Sequence, residues 1–336
     1  MFLPKEVFYE KEVENYPLGK RLLEQYREKQ IPCTIIENHN NIEQMRKKEN
    51  IEFPNMKQNL IIGIRKTHKF VPNEKVSDYL VPYTSSGCIA MCLYCYLVCN
   101  YNKCAYLRLF VNREQMLDKI LKISKESPKE LTFEIGSNSD LVLENTITGN
   151  LEWTIEEFAK RNEGKGKLTF PTKFSMVDKL LPLKHEGKTI VRMSVNPQEI
   201  IQKVEIGTSP LKQRVEAINK LKEAGYPIGI LVAPVILVEN WKKLYEELMV
   251  YLAENLSEKV KKEAFFEIIF MTYSYVHRKI NEEAFPDKID LYDEKKMTGS
   301  GRGKYRYQKE IKEEAQWYMK SLMQTYFPDN KIWYMV

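Results

Sequence analysis

The sequence predicts an α/β fold: a partial (β/α)6 barrel of the TIM type, roughly six strand–helix units, with an α/β extension in front and a hairpin and helix behind. Three observations carry this. Strand-like apolar runs alternate with amphipathic helical stretches from residue 80 to residue 270, the pattern of a parallel sheet covered by helices. One run, Ile228-Gly229-Ile230-Leu231-Val232-Ala233, is apolar throughout, as a parallel strand buried on both faces should be. Polar residues recur directly after strands, where such folds place their chemistry. The divisions read as 1–78, 79–275 and 276–336.

The elements follow in order. Residues 18–29 are helix-like, with Leu18, Leu22, Leu23 and Tyr26 on one face. Residues 31–36 and 60–64 read as strands, with a polar span between them. The basic run Arg65 to Phe70 is either a solvated edge or a phosphate contact. Residues 80–83 form a short strand leading into a cysteine loop. Strands are expected at 131–135, 167–170, 189–195, 228–233 and 265–270, and helices at 153–160, 177–181 and 241–254. Ser209 reads as an N-cap with Pro210 in the first turn. Leu211, Val215, Ile218 and Leu221 give that helix an apolar face, and Gly225 stops it. The tail holds a Gly/basic/aromatic stretch at 297–307, a helix at 310–326 and a strand at 331–335.

No stretch approaches the apolar run that a membrane-spanning helix needs, and Met1 to Glu6 has no apolar signal core, so a cytoplasmic protein without a membrane partner is expected. Five of the six cysteines lie between Cys88 and Cys104, which suits ligands and reactive thiols better than a secreted disulfide framework. The net charge of +6 permits a polyanionic partner without requiring one.

Cys88, Cys92 and Cys95, spaced C-x3-C-x2-C, are a ligand set for a metal or cluster. Three thiolates leave one iron of a 4Fe-4S cluster open to a small molecule. The spacing, with Tyr94 before the third cysteine, resembles the radical S-adenosyl-L-methionine (SAM) signature. A zinc site completed by Cys99 or Cys104 is the alternative.

An ordered set of motifs carries a closer resemblance. It runs from Tyr16-Pro17-Leu18-Gly19 through Arg65-Lys66-Thr67, Gly87-Cys88 to Tyr96, Phe133-Glu134 and Ser139-Asp140. It continues with Thr172-Lys173, Ser194-Val195-Asn196, Gly207-Thr208-Ser209, Val232-Ala233-Pro234 and Gly303-Lys304-Tyr305. In this set the chain resembles the spore photoproduct lyase family, radical SAM enzymes that repair an ultraviolet-induced thymine–thymine cross-link in spore DNA. The resemblance implies a 4Fe-4S cluster on Cys88, Cys92 and Cys95. It implies SAM contacts at Tyr94, Ser139, Lys173, Ser194 and Ala233; Asn196, at the same strand end as Ser194, joins them. It also implies a hydrogen-atom relay through Tyr94 and Tyr96, and a DNA-entering hairpin bearing Arg302, Lys304, Tyr305 and Arg306. The implied partners are ultraviolet-damaged double-stranded DNA carrying the photoproduct and a reductant such as flavodoxin or ferredoxin, in the cytoplasm of the spore core.

One departure stands out. Where the family has its hydrogen-donating cysteine, this chain has Ser137. A hydroxyl O–H bond is much stronger than a thiol S–H bond, so Ser137 is a poor donor to a carbon radical. Cys99 and Cys104 are candidate substitutes; inert buried thiols are the other reading. Rival functions are a radical SAM enzyme acting on another nucleotide or peptide, and a zinc-bearing nucleic-acid-binding protein.

Overall fold

The structure, a computed structural model, describes residues 2–100 and 106–336, without the side chains of 99 and 100. Cys104 and the side chain of Cys99 therefore lie outside the described residues. The chain divides into two compact units. The first comprises Met1–Ile89, Asn100–Phe170 and Asp178–Thr189; the second comprises Ala90–Cys99, Pro171–Val177 and Ile190–Val336.

In the first unit a sheet is built in the order Cys33–Ile36, Glu6–Glu10, Asn59–Gly63, Leu107–Phe110, Ser85–Ser86. All its pairings are parallel except the last. The helix Pro17–Glu28 lays Leu18, Leu22, Leu23 and Tyr26 against Val7, Leu60, Ile62 and Leu109. These are the four residues that the 3.6-residue period picks out, and each buried leucine contributes about 2 kcal/mol. Glu6–Glu10 and Leu107–Phe110 were not expected as strands: the first is short and charged at both ends, and the second has Arg108 in its middle. Tyr79–Leu80 pairs in parallel with Thr132–Glu134, which pairs in parallel with Lys167–Thr172. The first of these has only two residues because Pro82 brings no N–H to the ladder.

Arg65 departs from both readings of its basic run. Its guanidinium donates to the Tyr83 carbonyl at 2.7 Å and lies 3.9 Å from the centre of the Phe110 ring. Phe70 packs on Tyr79 and Phe133. Arg65 and Phe70 thus hold strand ends together.

In the second unit Thr189–Val195, Ile228–Val235, Phe265–Phe270 and Ile332–Met335 are neighbours, all parallel. Arg192 reaches past the middle strand to Glu267 at 3.0 Å. Gly229 makes this possible: a Cβ there would stand 2.6 Å from the Phe265 ring and 3.0 Å from Arg192 Cγ. The helix Leu211–Glu223 buries all four of its expected apolar residues. Ser209 does not cap it. The Ser209 hydroxyl instead accepts from the Ser175 amide at 3.0 Å, and the helix starts after Pro210. The short helix expected at 177–181 is a single 3-10 turn, Asp178–Leu180, just ahead of Pro182. Met297–Gly299 and Lys304–Tyr307 form a hairpin, with Thr272–Ser274 on its open edge. No described helix is long and apolar enough to cross a membrane.

Candidate active site

The cysteine loop is shaped locally before any ligand is considered. Gly87 has φ +76, a backbone conformation that favours glycine, and so turns the chain into Cys88. Its amide donates to the Asn138 carbonyl at 2.8 Å, and it bridges Ser139 in parallel. The loop that follows Thr132–Glu134 is thereby tied to the entrance of the cysteine loop within the first unit. Lys57, almost fully buried, donates to the Cys88 carbonyl at 2.7 Å. Asp140 caps the helix Leu141–Thr148 through the amides of Val142 and Leu143, so its carboxylate serves the fold. The Ser139 hydroxyl is buried and has no partner among the described residues. Ser137 is half-buried on the same loop.

The rest of the loop belongs to the second unit. Met91–Cys92 pairs antiparallel with Glu205–Ile206, Cys92 opposite Glu205. Asn281 donates to the Leu93 carbonyl at 2.7 Å, so a distant helix fixes the turn between Cys92 and Tyr94. Cys88, Cys92 and Cys95 are in no disulfide. Among the described residues no three Cys, His, Asp or Glu side chains converge as ligands of one metal ion. A four-iron cluster asks for a wider spacing, because each thiolate binds a different iron.

Around this segment runs a buried ionic network. Glu205 receives the Tyr94 hydroxyl. It also faces Arg214 at 2.6 Å and Lys173 at 3.4 Å and accepts from Asn196 at 3.2 Å. Burial alone would raise its pKa, but the charges of Lys173 and Arg214, with the hydrogen bonds from Tyr94 and Arg214, bring it down to about 2. Lys173 donates to the Ser194 hydroxyl at 2.6 Å and to the Ala233 carbonyl at 2.9 Å, with its ammonium 5.7 Å from the centre of the Tyr94 ring. Burial, the Glu205 charge and Cys92 raise the Tyr94 pKa well above that of an ordinary phenol, so Tyr94 keeps its O–H. Tyr96 differs: it is 56% exposed.

Lys173, Ser194, Ala233, Asn196 and Tyr94 thus come together in one network. Asn196 is fully buried, donates to Glu205 and the Pro234 carbonyl, and accepts from Tyr245 at 3.0 Å. Glu205, Arg214, Lys57 and Asn281 escaped sequence reasoning. Arg214 had a signal: it lies three residues after Leu211 and four before Ile218, on the apolar stripe. A charge at a core position calls for a buried partner. On the hairpin, Lys304 and Arg306 point outward, Arg302 is exposed at the turn, and the Tyr305 ring packs at a tilt against Tyr292, centres 4.4 Å apart. Arg306, Lys309 and Lys312, with Glu310, line a groove of about 540 Å³.

The residues present fit the implied groups. The loop offers three thiols, and Ser139 offers a buried hydroxyl with no partner among the described residues. An α/β fold with this loop and a charged cradle at its strand ends is that of a radical SAM enzyme. The profile of the spore photoproduct lyase family matches residues 2–336. The spore photoproduct lyase of Bacillus subtilis (strain 168) is 36% identical over 99% of this chain and 98% of its own length. That of Geobacillus sp. (strain Y412MC61) is 33% identical with the same coverage. A solved spore photoproduct lyase complexed with dinucleoside spore photoproduct matches with TM-score 0.91 and 32% identity, covering 100% of this chain and 99% of its own. A mutant with bound AdoMet and the same dinucleoside matches equally well. The chain belongs to the spore photoproduct lyase family, and its fold is the partial-barrel α/β fold expected above.

Proposed function

We propose that this chain repairs spore photoproduct in DNA, converting the methylene-bridged thymine pair back to two thymines. Full-length family membership supports this, together with relatives captured with the dinucleoside lesion and with AdoMet. The observation that carries it is the three-cysteine loop packed on the Glu205 network. Cys88, Cys92 and Cys95 hold a 4Fe-4S cluster with one iron left for SAM. When bound, cluster and SAM supply a 5′-deoxyadenosyl radical able to take hydrogen from C6 of the bridged thymine.

The chain's own residues bind and orient. Ser139 gives its hydroxyl to SAM. Lys173, braced by Ser194 and the Ala233 carbonyl, presents a fixed positive charge. Asn196 acts through Glu205 and the strand end, since its amide is engaged within the protein. Tyr94 and Tyr96 would relay a hydrogen atom from 5′-deoxyadenosine to the thiyl radical left on the donor cysteine, so that SAM can re-form; Tyr94 would do so as a neutral phenol aligned by Glu205. Because Ser137 cannot quench the product radical, Cys99 or Cys104 donates that hydrogen. Arg302, Lys304, Tyr305 and Arg306 engage the damaged duplex, from which the lesion must be flipped. A flavodoxin or ferredoxin delivers the electron, and the protein works in the cytoplasm of the spore core.

The test is anaerobic incubation with SAM, a reductant and dinucleotide spore photoproduct. Thymidylyl-thymidine is the expected product; none, with an intact cluster, overturns the assignment. Cys99→Ala and Cys104→Ala, made singly, locate the donor: one of them should slow repair and divert the radical into side products. If neither does, the thiol-donor reading fails.

A further inference from the structure

Thr272–Ser274 runs antiparallel to Lys304–Tyr307, with Ser274 opposite Lys304. One residue further the pairing continues as a single bond, the Tyr275 amide donating to the Gly303 carbonyl at 2.8 Å. A Cβ on Gly303 would stand 3.9 Å from Tyr275 Cβ, so glycine leaves that flank of the tyrosine open. The Ser274 hydroxyl accepts from the His277 amide at 3.0 Å and caps the helix Tyr275–Ala284. Strand and cap together fix Tyr275 and Val276 beside the hairpin turn. The helix buries His277, Ile280 and Asn281, while Tyr275 and Val276 are 56% and 45% exposed. A lone exposed aromatic is ordinary. Here an aromatic and a β-branched side chain adjoin on a rigid mount, next to exposed Arg302 and Lys304.

We propose that Tyr275 and Val276 form the wedge that enters the base stack when the lesion leaves the duplex, with the hairpin cations holding the flanking phosphates. This rests on the photoproduct reading above. Flipping two cross-linked thymines opens a gap and costs stacking; a tyrosine ring fills the gap by stacking on the exposed base, and the valine props its edge. The occupant is double-stranded DNA, because the patch is apolar at its centre and cationic at its rim.

The test compares the wild type, Tyr275→Ser and Tyr275→Phe on two substrates. One is the dinucleoside photoproduct, which has no duplex to open; the other is a duplex carrying one photoproduct, with 2-aminopurine beside the opposing adenines. Tyr275→Ser should lose roughly tenfold or more in kcat/KM on the duplex, together with the rise in 2-aminopurine fluorescence, while repairing the dinucleoside normally. Tyr275→Phe should restore both signals. Duplex repair and fluorescence equal to wild type in Tyr275→Ser overturn the wedge, as does an equal loss on both substrates. A wild type that repairs neither substrate with an intact cluster removes the photoproduct reading, and the wedge with it.

Discussion

Glu144 in the first unit and Glu205 in the second are both buried completely, and their pKa values are pushed in opposite directions. Glu144, in the first, accepts from Thr84 at 2.8 Å, Ser85 at 3.1 Å, Thr148 at 3.0 Å and Asn150 at 2.7 Å. Burial raises its pKa, and these neutral donors offset only part of the rise. Glu205, in the second, is equally buried but lies between Lys173 and Arg214, and its pKa falls to about 2. Hydrogen bonds satisfy a buried carboxyl; opposite charge is what keeps it ionised. Glu144 is a strut, whereas Glu205 is a permanent negative charge that aligns a phenol and an ammonium.

The largest effect should come from Glu205→Gln, which strands the Arg214 charge in the core. A loss of about 3–5 kcal/mol in urea unfolding is expected. The same loss in Glu144→Gln would break the comparison. The pH dependence sharpens it. Glu205 has a depressed folded pKa, so its contribution is present above its ordinary 4.5 and is lost as pH falls towards about 2. The stability gap between wild type and Glu205→Gln should therefore narrow across that range. Glu144 has a raised folded pKa, so its ionised form weakens the fold above that pKa and the penalty disappears as pH falls to 4.5. Wild type should gain on Glu144→Gln in that direction; parallel curves for the two pairs would remove the distinction.

At a fixed pH near 7, Glu144→Gln should change stability by no more than about 1 kcal/mol, because an amide can keep most of the same bonds. Ser139→Ala should have the smallest effect on folding, below about 0.5 kcal/mol, since its hydroxyl has no partner among the described residues. Yet its affinity for SAM, measured by equilibrium dialysis, should fall roughly fivefold, the worth of one hydrogen bond. A stability loss without an affinity loss would show the hydroxyl to be structural.

Much of this was legible in the amino-acid order. The three-cysteine spacing, the strand–helix alternation and the apolar faces of 18–29 and 211–223 are short-range patterns, and short-range patterns follow from backbone period and local propensity. The ordered motifs sufficed for the family. The Glu205 network was not legible as a set. Lys173, Ser194, Glu205, Arg214 and Ala233 lie on or just after separate strands and helices, and only folding brings their polar groups within a few ångströms. Asp140 shows the converse: it stands beside Ser139 in the motif after a strand, yet its carboxylate is used by the next helix as a cap. Sequence order carries spacing and residue type, so it sets which chemistry is available. Which carboxylate stays charged, which serine hydroxyl is buried and which tyrosine is held depend on burial and on neighbours distant in the chain, and those exist only once the strands have paired.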